Sequence, residues 1–583
     1  MASNQLLWQD LLPDLTEYQP VLDGMSSLPA LAPMQLQSRL SAALTTFANE
    51  QSHWPFMLLK AEDSFEKLAL LNQFVNEQAP NKTALFGVAY HFDPLTQHVS
   101  AMPAKHANDN FAADNQPCHF SEWVEYEQLF GTLKGSAPDY QLQAGLLHKA
   151  NGGILLLPVR TLLNQPKLWF RLKQTIVSGR FEWVSESENT PLPIHIPSMP
   201  ISLKLILVGD RLDLDDFGEF EPEIAARAFY GEFEYERFIK SDKEFSQWLG
   251  LVKHVAAQLG IHELSTQACH ELILKACRAT EDKALYPIDP LWIKEQLQLV
   301  KSVLAPNQTT IDEEDVRRAY TQKQWREGYL FERSKEDFLL GQIRVETEGF
   351  VTGQVNGLSV LEYPGYPIAI GEPSRISCIV HIGDGEVTDI ERKAELGGNL
   401  HAKGMMIMQS FIHSELSMEQ QLPFSASIVF EQSYGEVDGD SATLAELCAF
   451  MSALSLQPIN QQIAITGSVD QFGNVQPIGG VNQKIESFFD LCSSRGLTGS
   501  QGVIIPKANQ RHLCLKEEVI SAVKSGQFSI FTVDHASEAV AILIGLPYRD
   551  DEKISVISLI QERISISQRE QKQRFPWPFH WLN

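Results

Sequence analysis

Cysteines are few in this sequence, and long apolar stretches are missing. It has seven cysteines among 583 residues, and no two of them form a C-x-x-C pair, which argues against a zinc site and indicates a reducing compartment. The longest apolar runs, near residues 154–159 and 539–546, fall far short of the roughly 20 residues that a membrane helix needs. The first residues also lack the basic and apolar regions of a signal peptide. These absences predict a soluble, cytoplasmic protein without a membrane span or a metal site.

Basic residues are also scarce in this chain. It carries 47 lysines and arginines against 73 acidic residues, a net charge of −26. A field of this sign repels phosphate backbones, so nucleic acid is a poor partner for the molecule as a whole. With 44% hydrophobic and 21% charged residues, the composition is that of a globular protein, which excludes wholesale disorder. Since domains usually have about 100 to 200 residues, the length predicts three or four of them.

Several catalytic and nucleotide-binding motifs are absent as well. The sequence has no HExxH, no GxSxG and no GxxxxGK(S/T), which removes the main support for a zincin, an α/β-hydrolase or a P-loop ATPase. After the strand predicted at residues 55–59, where a P-loop would be expected, the segment from Lys60 to Lys67 has no glycine to form a phosphate-binding turn. Lys67 could imitate the phosphate-binding lysine, but a solvated helix lysine is the preferred interpretation.

Hydrophobic patterning divides the chain into regions. Residues 1–40 form an N-terminal segment, and residues 41–240 combine helical patterns with short apolar strands. The strand candidates are residues 55–59, 84–90, 153–157 and 203–208. Short apolar strands between helices predict an α/β layer with a buried, parallel sheet. Residues 241–335 lack strand signals and are predicted to be helical, with one helix beginning in a capping-box pattern at Thr310–Glu313.

The C-terminal half begins with a different pattern. Glycine, valine and isoleucine alternate with polar residues over 353–360 and 376–382, which predicts strands. We expect a β-rich domain over residues 340–548, followed by a charged helix and an aromatic tail over 549–583. The whole chain is thus predicted to be an α/β multidomain protein.

The segment 437–448 is predicted to be a turn that leads into a helix. Its apolar residues recur at three- and four-residue spacings: Leu444, Leu447, Cys448, Met451 and Leu454. Asp440 or Ser441 stands where a helix N-cap belongs, and this segment alone favours a capping serine. The alternative is a nucleophile at a helix N-terminus, where free backbone N–H groups and the helix dipole can stabilise an oxyanion.

A second helix is predicted over residues 479–492, with Lys484 on its apolar stripe. A lysine on a buried face is uncommon unless it is paired, although its stem could also reach towards water. A buried lysine could be the base that a serine nucleophile needs, if its pKa falls from about 10.4 towards 7–8. Asp438 could orient the neighbouring groups. Because its carboxylate would raise that pKa, any link to the lysine is expected to be indirect.

Together these segments resemble the proteolytic domain of the Lon protease family (peptidase S16). The resemblance includes the 43-residue spacing between Ser441 and Lys484, the segment 464–480 between them, and flanking segments at 346–358 and 502–506. It covers about residues 340–548, and it is closest to the B-type branch, in which a GDSA-like motif surrounds the nucleophile.

The resemblance assigns roles to four residues. It implies that Ser441 is the nucleophile and Lys484 the general base. It implies supporting roles for Asp438 and for Thr466, which is placed to contact the lysine. Family members have Gly or Ser where Thr443 stands, a departure that leaves the dyad intact.

The N-terminal half resembles, in degenerate form, the AAA+ ATPase module of the same family, with a core at 41–240 and a helical lid at 241–335. The segment 143–160 is similar to the one that leads into a Walker B strand, but Pro158 and Val159 stand where the family has Asp-Glu. Those acids hold magnesium and activate the attacking water. Together with the degenerate P-loop from Lys60 to Lys67, their loss implies a pseudo-ATPase scaffold that has lost ATP and magnesium chemistry, and the dyad itself requires no cofactor.

The leading hypothesis is a Lon-like serine endopeptidase that cuts unfolded or loosely folded polypeptides, with ATP hydrolysis lost. The resemblance implies a homo-oligomeric ring, usually a hexamer. Two alternatives stay open at this point. The chain could be a non-catalytic, chaperone-like scaffold whose aromatic tail, from Phe575 to Trp581, anchors a partner, although packing of the tail within its own ring is favoured. It could also be a protease that keeps ATP dependence through an unusual nucleotide site.

Overall fold

The structure is a computed structural model that describes residues 4–49, 51–78, 88–93, 95–96, 98–104, 111–112, 116–136, 139–185, 191–416, 422–433 and 435–574. The aromatic tail and part of the strand predicted at 84–90 lie outside these residues. The predicted fold class is confirmed: an α/β multidomain chain has a parallel sheet in its N-terminal half and a mixed sheet in its C-terminal half. Within the described ranges, no helix combines the length and the hydropathy that crossing a bilayer would require.

The region before residue 241 consists of the N-terminal segment, which includes α1, and an α/β core. Its strands are β1 (Phe56–Lys60), β2 (Val88–Asp93), β3 (His98–Pro103), β4 (Cys118–Phe120), β5 (Thr132–Lys134), β6 (Gln141–Gln143), β7 (Ile154–Pro158), β8 (Arg180–Phe181), β9 (Met199–Pro200), β10 (Lys204–Gly209), β11 (Phe229–Glu232) and β12 (Glu236–Phe238). Its helices are α1 (Gln19–Asp23), α2 (Ser38–Ala48), α3 (Phe65–Gln78), α4 (Tyr126–Phe130), α5 (Leu146–Lys149), α6 (Val159–Leu163), α7 (Pro166–Ser178), α8 (Arg211–Phe220) and α9 (Pro222–Ala225). Five strands form a parallel sheet in the order β11-β1-β10-β7-β4. Since this sheet is buried on both faces, β1, β7 and β10 are apolar runs that the sequence could predict.

The lid that follows is mainly helical. Its elements are α10 (Asp242–Gln258), β13 (Glu263–Leu264), α11 (Thr266–Thr280), β14 (Leu285–Pro287), α12 (Pro290–Lys301), β15 (Thr310–Ile311), α13 (Glu313–Glu327) and α14 (Tyr329–Leu339). The predicted start of α13 is wrong by two residues. Thr310 and Ile311 pair with β13, and the N-cap is Asp312, whose side chain accepts from the Asp315 N–H. An aspartate caps a helix as well as a threonine does, so the T-x-x-E pattern was ambiguous.

The C-terminal region is built on a seven-stranded mixed sheet. Its strands are β16 (Phe350–Thr352), β17 (Gln354–Leu361), β18 (Ile370–Ile382), β19 (Val387–Asp389), β20 (Phe424–Glu431), β21 (Pro458–Asn460), β22 (Ile463–Ile465), β23 (Ser468–Val469), β24 (Val475–Gln476), β25 (Gly502–Pro506) and β26 (Ser529–Val533). Its helices are α15 (Ile390–Lys393), α16 (Asn399–Glu415), α17 (Thr443–Ser455), α18 (Val481–Arg495), α19 (Glu517–Lys524), α20 (Ala536–Ile544) and α21 (Val556–Arg574). The strand order is β19-β20-β18-β17-β22-β25-β26, and β17, β22, β25 and β26 run parallel.

Helices α17 and α18 cover opposite faces of this sheet. Along β25, Ile504 packs in the core that contains α17, whereas Val503 and Ile505 pack in the core that contains α18. Successive side chains of a strand point to opposite faces, so the two helices are separated by the sheet. Residues from them can meet only beyond the end of a strand.

The N-terminal segment connects all three regions. The Leu6 N–H donates to the Ile530 carbonyl at 2.8 Å, and Leu11 is buried in the C-terminal region. Further along, Leu22 lies in the core of the lid and Leu40 in the core of the α/β region. The first forty residues therefore pack against each of the three regions in turn.

Candidate active site

Three of the predicted site residues meet at the carboxyl end of β22. Lys484 Nζ lies 3.0 Å from Ser441 Oγ and 3.3 Å from Thr466 Oγ1. Ser441 comes just before α17, Lys484 lies in the first turn of α18, and Thr466 follows the last residue of β22. The end of this strand is thus the place where residues from the two faces of the sheet come together.

The Ser441 side chain does not cap a helix, so the capping interpretation is wrong. Helix α17 begins at Thr443, its N-cap is Ala442, and no side-chain cap bond is present there. Thr443 Oγ1 donates to the Asp440 carbonyl at 2.8 Å, which closes the turn without the serine. Gly439, with φ of +114°, supplies a backbone conformation that favours glycine. The turn therefore presents a half-buried Ser441 hydroxyl to the Lys484 amine.

Lys484 is buried, so its side chain does not extend into water as the alternative interpretation allowed. It is 3% exposed. Burial lowers its pKa to about 8, while the nearby carboxylates of Glu281 and Asp440 raise it and oppose this shift. A pKa this close to neutrality leaves a useful fraction of the amine uncharged, as a general base requires.

Thr466 holds the two dyad segments together. Its backbone N–H donates to the Ile504 carbonyl at 3.1 Å, and its hydroxyl lies 3.2 Å from the Ser441 carbonyl oxygen. The neighbouring Gly467 N–H also donates to that carbonyl, at 2.8 Å. A fully buried Thr466 hydroxyl beside the Lys484 amine restricts where the amine can point.

Asp438 is placed differently from the other three. Its carboxylate accepts from the Leu400 N–H at 3.1 Å and from the Gly439 N–H at 3.0 Å. Among the described residues, no hydrogen bond joins Asp438 to Ser441 or Lys484. It ties the turn before the serine to the start of α16, and its supporting role stays a prediction.

A buried cluster of charged residues includes Glu446 on α17, and no sequence motif marked it. Glu446 on α17 is fully buried, with Oε1 3.8 Å from His401 Nε2, which lies 3.1 Å from Asp389 Oδ2. Burial raises the pKa of Glu446 to about 7. The sequence signal was a glutamate beside the apolar stripe of this helix. The structure shows that the helix is buried on every side.

Lys67 also differs from its prediction as a solvated lysine. It is 1% exposed, and its Nζ lies 2.6 Å from Asp289 Oδ1 and 3.9 Å from the centre of the Phe233 ring. Burial lowers its pKa, and the attraction of Asp289 opposes that shift. Because Asp289 is the N-cap of α12, this pair joins the α/β core to the lid.

Acidic side chains lie near the end of β1, in the segment predicted to be a degenerate P-loop. Asp63 follows the end of β1, and its pKa is raised by burial, against the attraction of Arg160, with Asp210 adding to the rise. Arg160 Nε forms an ion pair with Asp63 Oδ2 at 2.6 Å. Val159, at the position of a Walker B acid, is fully buried in an apolar core.

The chain thus combines an ATPase-like α/β core and a helical lid with a region that holds a buried Ser–Lys pair. A family model described as "LonB-like, AAA domain" matches residues 115–230, and one described as "Lon protease (S16) C-terminal proteolytic domain" matches residues 408–545. A protein of Escherichia coli (strain K12), named only as a homolog of Lon protease, is 47% identical over 100% of this chain and 99% of its own length. A second such homolog, from Haemophilus influenzae, is 40% identical over 98% of this chain and 96% of its length.

More distant relatives are named as Lon proteases themselves. The archaeal Lon protease of Pyrococcus abyssi is 26% identical over 75% of this chain and 42% of its own length. The chain belongs to the Lon protease family. This confirms the family that the sequence resembled, with an AAA-like module before the proteolytic domain.

Proposed function

We propose that this protein is a serine endopeptidase that hydrolyses peptide bonds of unfolded or loosely folded polypeptides. The observation that carries the proposal is the buried Lys484 amine 3.0 Å from the Ser441 hydroxyl. In this mechanism Ser441 Oγ attacks the scissile carbonyl, and Lys484 takes the hydroxyl proton and returns it to the leaving amine. Water then hydrolyses the acyl-enzyme. Backbone N–H groups near the start of α17 hold the oxyanion.

A serine-directed fluorophosphonate probe tests this function directly. We expect the probe to label the folded protein at Ser441, and the labelled protein to lose cleavage of casein. Absence of both labelling and cleavage would favour the non-catalytic, chaperone-like scaffold. The homo-oligomeric ring, a hexamer by family resemblance, stays a prediction.

The dyad predicts a pH dependence. The base is active only as a neutral amine, and the pKa of Lys484 is about 8. The kcat/KM for a fluorogenic peptide should therefore rise about tenfold per pH unit below that value and level off above it. Rates measured from pH 6 to 10 check this, and a profile that is flat across pH 8 would exclude Lys484 as the base.

We infer that proteolysis does not need ATP. The apolar Val159 and the lack of glycine from Lys60 to Lys67 support this, because they supply neither a magnesium ligand nor a phosphate-binding turn. Degradation of an unfolded protein should proceed at the same rate with and without ATP and magnesium. A rate that depends on ATP, or tight magnesium-dependent binding of an ATP analogue in a calorimetric titration, would show that an unusual nucleotide site is retained.

A further inference from the structure

The lid is bonded directly to the helix that carries Lys484. Arg278, near the end of α11, donates to both carboxylate oxygens of Glu486 on α18, at 2.7 and 2.5 Å. Just beyond α11, the Glu281 carboxylate accepts from the Gly480 N–H at 3.3 Å. Gly480 is the residue before α18, and Glu486 lies two residues after Lys484. The end of α11 thus holds α18 on both sides of the lysine.

Glu281 adopts a backbone conformation that is costly for a glutamate. It has φ of +51° at the C-cap of α11, in the left-handed region where glycine or asparagine is usual. Gly480 is also left-handed, with φ of +65°, and a Cβ there would lie 2.6 Å from Val360. Gly480 is therefore required by its own backbone conformation and by the close approach of Val360 on β17. On the lid side, Glu281 tolerates backbone strain while it presents its carboxylate to the Gly480 N–H.

We propose that Glu281 is a positioning residue for Lys484, and that through it the helical lid takes part in the active site of the protease. The proposal rests on the proposed function of the dyad. It adds a residue that neither the motifs nor the family resemblance assigned, from a region that precedes the proteolytic domain.

The charged groups around Glu281 do not cancel its effect on the pKa of Lys484. Two carboxylates raise the pKa of Lys484, and Glu281 has a larger effect than Asp440. Around Glu281, the Arg278 charge is already matched by the bidentate carboxylate of Glu486.

Two further charged groups lie near Glu281. Arg511 is paired with Asp282, and burial lowers the pKa of His512, which favours its neutral form. The Glu281 carboxylate also acts to raise the pKa values of Arg278 and His512, but Arg278 is paired with Glu486 and burial outweighs the effect on His512. At the start of α18 this carboxylate accepts from the Gly480 N–H, and it stabilises the charged form of Lys484.

Glu281→Gln separates a tuning role from a merely structural one. The amide keeps an acceptor for the Gly480 N–H and removes the charge, so the pKa of Lys484 should fall. We expect the rising limb of the kcat/KM profile to move to lower pH by roughly half a unit. At pH 7 the variant should then be about threefold faster than the wild type. Glu295→Gln, the same change at an exposed position of the lid, should leave the profile unmoved.

Acetylation of Lys484, followed by mass spectrometry, measures the same pKa without any activity. In Glu281→Gln, the pH profile of the acetylation rate should shift by the same amount as the rising part of the kcat/KM profile. An unshifted acetylation profile in this variant overturns the proposal, whether or not the protein cleaves peptides. Loss of activity at every pH with an unmoved limb also overturns it, because that is the result of a structural role alone. A shifted acetylation profile in a protein that cleaves nothing supports the tuning role and refutes the proposed protease function.

Discussion

Ser441→Ala and Lys484→Ala are each expected to lower peptide cleavage by at least about 10⁴-fold, and the double variant to be no slower than either. The reason is that the two groups act as a unit: the hydroxyl is a weak nucleophile without the amine, and the amine has no substrate-attacking atom to activate without the hydroxyl. The 3.0 Å separation of Nζ and Oγ is the geometry that makes them one unit. Initial rates on casein and on a fluorogenic peptide check the prediction.

Lys484→Arg sharpens this test. Arginine keeps the positive charge and hydrogen-bonding capacity but is not deprotonated in proteins, so this variant should be as inactive as Lys484→Ala. Ser494→Ala, at an exposed serine on the same helix, is the matched control and should keep wild-type rates. Substantial cleavage by Lys484→Arg would contradict a base role, and additive losses in the double variant would contradict a coupled dyad.

Lys67→Met is expected to destabilise the protein by about 3 kcal/mol. The Lys67 side chain is fully buried, and its removal leaves the largely buried Asp289 carboxylate without its cation. A carboxylate that loses its partner in such surroundings costs much more than the apolar contacts that methionine replaces. The midpoint and slope of urea unfolding measure the change.

A matched pair of variants keeps this prediction specific. Lys294 and Glu66 join the same two helices, α12 and α3, at 3.9 Å but in an exposed position. Lys294→Met should therefore cost less than about 1 kcal/mol. Adding Asp289→Asn to Lys67→Met removes the unpaired charge while keeping a capping side chain, so most of the loss should be recovered. Equal effects of Lys67→Met and Lys294→Met would show that the buried pair does not hold the lid.

The sequence predicted three of the five strands of the N-terminal parallel sheet, because β1, β7 and β10 are continuous apolar runs. It missed β4 and β11, and the described part of the strand predicted at 84–90 lies in the separate antiparallel pair of β2 and β3. It was less successful at helix starts. Helix α13 is capped by Asp312 and not by Thr310, and neither Asp440 nor Ser441 caps α17 through its side chain. Thr310 joined a strand, and Ser441 turned towards a lysine. Local patterns do not contain those partners.

By itself, the sequence determined the family, the α/β architecture and the pairing of a serine segment with a lysine segment, because motif spacing and hydrophobic period are local properties. Only the tertiary structure decided which polar side chains are buried and what they face. Lys67, taken for a solvated residue, is enclosed by Asp289 and an aromatic ring. Glu281, which no motif marked, reaches the start of the Lys484 helix from the lid. The free energy of a charged group depends on its neighbours in space, and neighbours far apart in sequence are known only once the chain is folded.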